Sequence, residues 1–232
     1  MAHRTVREVM TTEVVTVSAG TPFKDLVTVL AERHISAVPV LDAGGRVTGL
    51  VSEIDLLRKE EYQEDPGARR PPHWRHGADR ARADGLTAGD LMSSPAVTIR
   101  PEASVVEAAR ALDRQHVRRL VVIDGDGHLV GIVAPPDLLK IYLRSDEEIR
   151  DEIIHEVITE YLGTDPERVT VRVAAGQVTL GGEVEKKSMI RLAVKLAHSV
   201  DGVVNVAQAL SYAIDDSHVP PVLDSRSGSS MT

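Results

Sequence analysis

Two aspartates occupy positions at which a side chain could do chemistry beside the start of a helix. Asp55 and Asp137 each follow a glycine-led apolar run, Gly49-Leu50-Val51 and Gly131-Ile132-Val133. A carboxylate accepts several hydrogen bonds, and Ser52 adds a hydroxyl one helical turn before Asp55. The same Ser-x-x-Asp spacing resembles a capping box, in which both side chains serve only the helix. The residues therefore predict either a polar binding position or a helix cap.

The two aspartates belong to an internal repeat. The difference between 137 and 55 is 82, and the same offset relates further identical residues without any gap. These pairs are Met10 with Met92, Thr16 with Thr98, His34 with His116, Asp42 with Asp124, and Gly49 with Gly131. Chance does not hold one offset over so long a span, so the chain contains two copies of one structural unit.

Each copy is predicted to fold as strand, helix, strand, strand, helix. In the first copy, apolar or β-branched runs at 14–17, 37–41 and 46–51 predict the strands. Thr21 followed by Pro22 predicts the N-cap and the first residue of the helix between the first two strands. Because one copy alone has few residues with which to bury a core, we expect the two copies to pack against each other.

A different pattern follows the second copy. Ser145 and Glu148 have the spacing of a capping box and begin a helix that ends at Gly163. Its apolar stripe consists of Ile149, Ile153, Val157 and Tyr161. Alternating runs at 169–173 and 177–184 predict a hairpin. A helix over 188–198 and a last strand over 203–210 complete a small domain without an internal repeat.

Two polar stretches are predicted to lie outside these units. Residues 61–86 form a linker, and residues 216–232 form a disordered tail rich in Ser, Gly, Pro and Asp. Trp74 is expected to pin the linker to the protein, with a docking anchor for a partner as the alternative. We expect no metal site at the neighbouring His73 and His76.

Composition excludes several classes of function. The formal charge is −8, which argues against binding to nucleic acid. The chain has no cysteine, so it has no disulfide, thiol catalysis or thiolate metal site. It contains no apolar run of the length of a signal peptide or a membrane span. It also lacks the P-loop, G-x-S-x-G and H-E-x-x-H motifs, so we expect a cytoplasmic protein that is not an enzyme.

The repeat resembles the cystathionine β-synthase (CBS) domain, and the tandem resembles the CBS pair, or Bateman module. The resemblance rests on Val9-Met10, on 37–42 and 49–55, and on their counterparts in the second copy. The C-terminal part resembles a BON domain through 171–184 and 200–206. The implied fold is α+β, with two β-α-β-β-α units related by a pseudo-twofold axis and a small α-β-β-α-β domain. The implied domains are CBS 1 at 5–60, CBS 2 at 87–143 and BON at 145–215, in a bacterial CBS domain-containing protein.

A CBS pair, by this resemblance, binds adenosine-type ligands such as AMP, ADP or ATP in two clefts. The carboxylates of Asp55 and Asp137 would accept hydrogen bonds from the ribose hydroxyls, and Ser52 would reach a phosphate. The threonines Thr16 and Thr98 would contact the base through backbone groups. The remaining implied contacts are an apolar wall of Ala37, Val38 and Pro39 in the first copy and, in the second, Arg118, Arg119, Leu120 and Val121.

The two implied sites differ. The second has Ala134 in place of Ser52, and Pro135 and Pro136 remove two amide donors, so we expect unequal affinities. His34 and His116 are expected to cap or pack rather than to bind. No cofactor or metal is required.

The resemblance implies a sensor of adenine nucleotide that passes its state to an unknown protein partner through the BON domain, as a homodimer of CBS pairs. The alternative is a scaffold that binds no ligand and whose BON domain docks on phospholipid or a protein.

Overall fold

The structure is a computed structural model that describes residues 4–57 and 86–217. The chain divides into two units, residues 4–140 and residues from 141 onward. The first contains α1 (Val6–Val9), β1 (Val17–Ser18), α2 (Phe23–Glu32), β2 (Ala37–Leu41), β3 (Val47–Ser52), α3 (53–57), α4 (Ala88–Leu91), β4 (Thr98–Ile99), α5 (Val105–Gln115), β5 (Leu120–Ile123), β6 (Leu129–Val133) and α6 (Pro135–Leu138), which a 3₁₀ helix (Leu139–Leu143) follows. The second contains α7 (Asp146–Glu152), a π-helix (Ile153–Tyr161), a 3₁₀ helix (Pro166–Arg168), β7 (Val169–Ala174), β8 (Gln177–Lys186), α8 (Lys187–His198) and β9 (Asn205–Ile214).

Nearly all of the predicted linker, with Trp74, His73 and His76, lies outside the described residues, as does most of the predicted tail. In the described part of the tail, Asp216 contacts α8: Ser188 donates its backbone N–H to Asp216 Oδ1 over 3.0 Å.

Each repeat forms a three-stranded sheet with one parallel and one antiparallel pair. In the first, β1 runs parallel to β2 and β2 antiparallel to β3; in the second, β4, β5 and β6 repeat this order. Val17 lies opposite Val40, and the residues 82 positions later, Ile99 and Val122, lie opposite each other. The repeat predicted from sequence is therefore a repeat of sheet register.

The core of the first repeat lies between its sheet and its helices. It is made of aliphatic side chains, because the chain has few aromatics: Leu26, Leu30, Val38, Val40, Val51, Leu56, Ala88 and Leu91. The last two belong to α4, which precedes the second sheet in the chain. A segment at the start of the second copy thus completes the core of the first.

The start of each copy packs on the other copy. Thr11 forms a β-bridge with Ile132, and Ser93 forms one with Leu50. Ser93 is the repeat counterpart of Thr11, and Leu50 is the repeat counterpart of Ile132. The two bridges are therefore the same contact with the two repeats exchanged. Residues 46 and 128 are 82 apart and bridge each other. These contacts agree with the predicted pseudo-twofold pair.

Two turns and one helix cap agree with their sequence signatures. Asp42 Oδ1 accepts the amides of Gly44 and Arg46, and the Arg46 amide is the main reason that the pKa of Asp42 is lowered. Asp124 does the same in the second copy. Ser104 forms the predicted capping box with Glu107.

Three local predictions were wrong. The first strands begin at Val17 and Thr98, later than the predicted starts at residues 14 and 96. Pro22, not Thr21, is the N-cap of α2, because the Thr21 hydroxyl accepts the Ser18 amide instead. Tyr161 is 52% exposed, and Ile158 and Leu162 are buried. The π-helix causes this last change, since its i→i+5 hydrogen bonds shift the buried stripe by one residue.

The second unit is one sheet covered on one face by helices. β7 and β8 form the predicted hairpin, and β9 lies parallel to β8 on the far side. The hairpin turn has positive φ at Ala175 and Gly176, as two-residue turns of this hand require. Within the described residues, no helix has the length and apolar character needed to cross a bilayer.

Candidate functional site

Asp55 is the only buried charged or polar residue in the described part of the chain, with 6% of its surface exposed. β3 ends at Ser52 and α3 begins at 53, so the carboxylate lies at the junction of strand and helix. Its Oδ2 atom accepts the Ser52 amide over 2.9 Å and the Ser52 hydroxyl over 2.6 Å. The Ser52–Asp55 pair therefore performs part of the capping function that the sequence left open.

A cleft of about 350 Å³ opens beside this pair. Small-molecule pockets range from about 300 to 1,000 Å³, so the cleft is large enough for a compact ligand. Its wall combines residues 36, 50 and 52–55 of the first repeat with residues 93, 95–97 and 116–119 of the second. Because each repeat begins on the other, the cleft belongs to both copies. We refer to it as the Asp55 cleft.

Two arginines give the Asp55 cleft its positive side. Arg118 is exposed, and Arg119 is half-buried and donates a hydrogen bond to the Ser36 hydroxyl. Burial lowers the pKa of the Arg119 guanidinium, which the negative charge of Glu53 opposes. Arginine nevertheless remains protonated, so a partly desolvated cation lies at the wall of the cleft. Such a cation is suited to pair with a phosphate.

The second aspartate has different surroundings. Asp137 accepts the Ala134 amide at Oδ2 over 2.9 Å, which is the counterpart of the Ser52 contact. Its Oδ1 atom accepts a hydrogen bond from Lys140 over 2.8 Å, and Lys140 also reaches the Val9 carbonyl. The side chain is 15% exposed. Asp137 is thus engaged by a cation of its own helical segment.

The predicted site residues are divided between different places. Ser52, Asp55, Arg118 and Arg119 line one cleft. Thr98 is not part of its wall, although Ala96 and Val97 are. Subtracting 82 from the cleft residue Arg119 gives Ala37, and adding 82 to Asp55 gives Asp137. Ala37 and Asp137 are therefore the repeat counterparts of two residues of the Asp55 cleft, and they do not line that cleft themselves.

The predicted apolar walls are largely core. Val38 packs with Leu26 and Leu30, so its side chain serves the interior of the first repeat. Ala37 and Pro39 are also buried, as are Leu120 and Val121 in β5. Thr16 is exposed and lies one residue before β1.

Sequence reasoning missed several residues of the cleft, among them Ser36, Ser93 and Val117. Ser36 is the repeat counterpart of Arg118, a predicted site residue, so the offset of 82 could have identified Ser36 from the sequence. His116 also lines the cleft, and it ends α5 in the left-handed conformation with φ 52°. His34 has φ 50° and directly follows Arg33, the C-cap of α2.

Comparison with protein-family models assigns both parts of the chain. The CBS domain matches residues 6–62 and 88–144. The BON domain matches residues 145–213.

Similar proteins are found in plants, bacteria and animals. The chloroplast protein CBSX2 of Arabidopsis thaliana is 28% identical over 142 residues, which are 57% of this chain and 60% of that protein. YhcV of Bacillus subtilis is 27% identical over 134 residues, 57% of this chain and 81% of YhcV. The gamma-3 subunit of human 5'-AMP-activated protein kinase is 27% identical over 124 residues, 53% of this chain and 23% of that subunit. The chain spans about three fifths of the length of the first curated relatives it matches.

A crystal structure of CBSX2 in complex with AMP superposes with a TM-score of 0.53 at 28% identity, covering 60% of this chain and 96% of CBSX2. The family matches, the register-preserving repeat and this superposition agree. The chain belongs to the CBS-domain family and consists of two CBS domains followed by a BON domain.

Proposed function

We propose that the CBS pair binds an adenine nucleotide, or a related adenosyl ligand, in the Asp55 cleft and acts as a regulatory component rather than as an enzyme. The observation that carries this proposal is the convergence of a buried carboxylate, a serine hydroxyl and two arginines on one cavity. The carboxylate suits a vicinal diol and the guanidinium groups suit a phosphate. The crystal structure of the relative CBSX2 with AMP supports the same ligand class.

The regulatory part of the proposal requires two states of the protein. A ligand shifts an equilibrium only as far as its affinities for the two states differ. The Asp55 cleft is built from both repeats, so a ligand that contacts both would favour one arrangement of the pair. We propose that the BON domain passes this state to a protein partner.

We also propose that the CBS pair forms a homodimer. Ile54 and Leu57 on α3 are 51% and 62% exposed, and Leu139, the repeat counterpart of Leu57, is 59% exposed. Matched apolar side chains on the two repeats favour a self-associating surface.

Phospholipid docking by the BON domain is the weaker alternative. The basic residues of α8 are partly neutralised, because Lys187 lies 2.8 Å from Asp215. Exposed Arg191 and Lys195 remain, which is a small basic patch for an anionic membrane.

Isothermal titration of the full chain with AMP, ATP and adenosine tests the proposal. We expect binding with Asp55→Asn at least about tenfold weaker than wild type, since a hydrogen bond to a charged group contributes about 1.5–3 kcal/mol. Asp137→Asn is the matched control and should change affinity less. If AMP and ATP give neither heat nor a melting shift with folded protein, the sensor proposal fails. Co-sedimentation with liposomes that is indifferent to nucleotide would then favour the scaffold.

A further inference from the structure

The last strand of the C-terminal domain forms one edge of its sheet. β9 is ten residues long and pairs with β8 from Asn205 to Ile214. Within the described residues, no strand pairs with its other side. Leu210 is its only buried residue. The domain therefore presents a long row of backbone groups along an accessible edge.

This edge lacks the features by which proteins prevent strands from pairing. Natural edge strands carry charges or prolines, or are short. The sequence of β9, NVAQALSYAI, has no charged residue and no proline. The opposite edge strand, β7, has six residues and includes the exposed Arg172. The absence of protection is thus specific to β9.

One contact shows which backbone groups face outward. The Leu210 N–H donates to the side-chain Oε1 of Gln208 over 3.0 Å, so it is directed away from β8. In a parallel pair, alternate residues of an edge strand direct their N–H and C=O groups away from the neighbouring strand. The even-numbered residues of β9 therefore offer backbone donors and acceptors at the free edge. In the single chain, the Gln208 side chain accepts the hydrogen bond of one of these donors, the Leu210 N–H.

We propose that β9 pairs antiparallel with β9 of a second copy of this chain, about a twofold axis perpendicular to the sheet. Such an axis brings the outward-facing, even-numbered residues of the two copies opposite each other. With the axis at Leu210, Val206 lies opposite the partner's Ile214, and Gln208 lies opposite the partner's Tyr212. The pairing covers Ile214 and Tyr212, which are 51% and 40% exposed in the single chain.

The absence of charged residues from β9 favours a second copy of the chain as the partner at its free edge. In symmetric pairing, charges on a strand can be brought opposite like charges, and like charges directly opposite each other destabilise a sheet. β9 avoids this along its whole length. Asp215, the first charged residue after it, falls opposite the partner's neutral Asn205 and is already paired with Lys187. This inference does not depend on nucleotide binding.

Disulfide trapping tests the pairing, since the native chain has no cysteine. Ala209 and Ser211 are exposed. With the axis at residue 210, Ala209 lies opposite the partner's Ser211, and with the axis at residue 209 it lies opposite the partner's Ala209, so the double variant can form a disulfide across either axis. After mild oxidation of the full-length Ala209→Cys/Ser211→Cys variant, we expect at least tenfold more covalent dimer than from the control Thr170→Cys/Arg172→Cys, with the same spacing on β7. Equal yields would overturn the proposal.

A second comparison uses charge in place of cross-linking geometry. Gln208→Lys places on β9 a charged side chain of the kind that prevents edge strands from pairing, and Thr170→Lys places the same charge on β7. In the Ala209→Cys/Ser211→Cys chain, we expect the first change to reduce covalent dimer at least tenfold and the second to leave it unchanged. Circular dichroism checks that each variant is folded. Equal effects of the two lysines would contradict pairing through β9.

Discussion

Met92 packs against Gly49 across the boundary between the two repeats. A Cβ atom added at Gly49 would lie 2.5 Å from the Met92 Sδ atom, and one added at Gly131 would lie 2.7 Å from the Met10 Sδ atom. Each methionine thus fills space that a glycine of the other repeat leaves open. The glycine of each repeat contacts the methionine of the other repeat, which explains why the glycine and the methionine are both repeated at the offset of 82.

Substitution at this contact should destabilise the pair. We expect Gly49→Ala to lower the free energy of unfolding by about 1–3 kcal/mol, as overpacking of interiors does. The control is Gly125→Ala, because a Cβ there meets nothing within 4 Å. Urea denaturation measures both, and Met92→Ala combined with Gly49→Ala should recover part of the loss. An equal effect of the two glycine substitutions would contradict the packing account.

Arg118 should distinguish ligands with a phosphate from those without one. We expect Arg118→Ala to weaken AMP binding about tenfold and to leave adenosine binding nearly unchanged, because the lost contact is charge-assisted. Arg110→Ala removes an exposed arginine of α5 that does not line the cleft. Isothermal titration with both ligands measures the difference. Parallel losses for AMP and adenosine would show that Arg118 does not contact a phosphate.

Lys140 should decide whether the second aspartate can bind ligand. It donates to Asp137 Oδ1 over 2.8 Å, and we expect a ribose hydroxyl to compete for the same oxygen. We expect Lys140→Met to strengthen binding of adenosine at a second site, which titration detects as additional stoichiometry per chain. Lys195→Met, on α8, is the control. If the two variants bind alike, the salt bridge is not what separates the two sites.

Acidification should weaken the C-terminal domain through Asp216. Hydrogen bonds from the Ser188 hydroxyl and then its amide lower the pKa of Asp216 below its ordinary value. A carboxyl group with a lowered folded pKa stabilises the fold above its unfolded pKa, near 4, and loses that contribution as the pH falls through the folded pKa. Urea denaturation between pH 5 and pH 2 should show a smaller loss for Asp216→Asn than for wild type. Glu167→Gln should behave as wild type, and a wild-type slope in Asp216→Asn would exclude this role.

Local chemistry made much of the fold predictable. The Asp42 and Asp124 turns and the caps at Ser104 and Ser145 depend on residues a few positions apart, where backbone preferences and short hydrogen bonds dominate. The repeat was predictable because identical residues recur at a single offset of 82. The first strands were predicted too long because a short apolar run does not show where pairing begins. The prediction that Tyr161 belongs to the apolar stripe was wrong because the spacing rule assumes an α-helix, and this segment is a π-helix.

The sequence by itself determined that there are two copies, which residues correspond and that an aspartate recurs beside a helix start. Only the tertiary structure decided that each copy begins on the other and that one cleft draws on both. It alone showed that the Lys140 side chain reaches the Val9 carbonyl and that β9 is an edge strand among the described residues. The physical reason is that these features depend on contacts between residues distant in the chain, and the sequence pattern records what each segment favours but not which segment it meets.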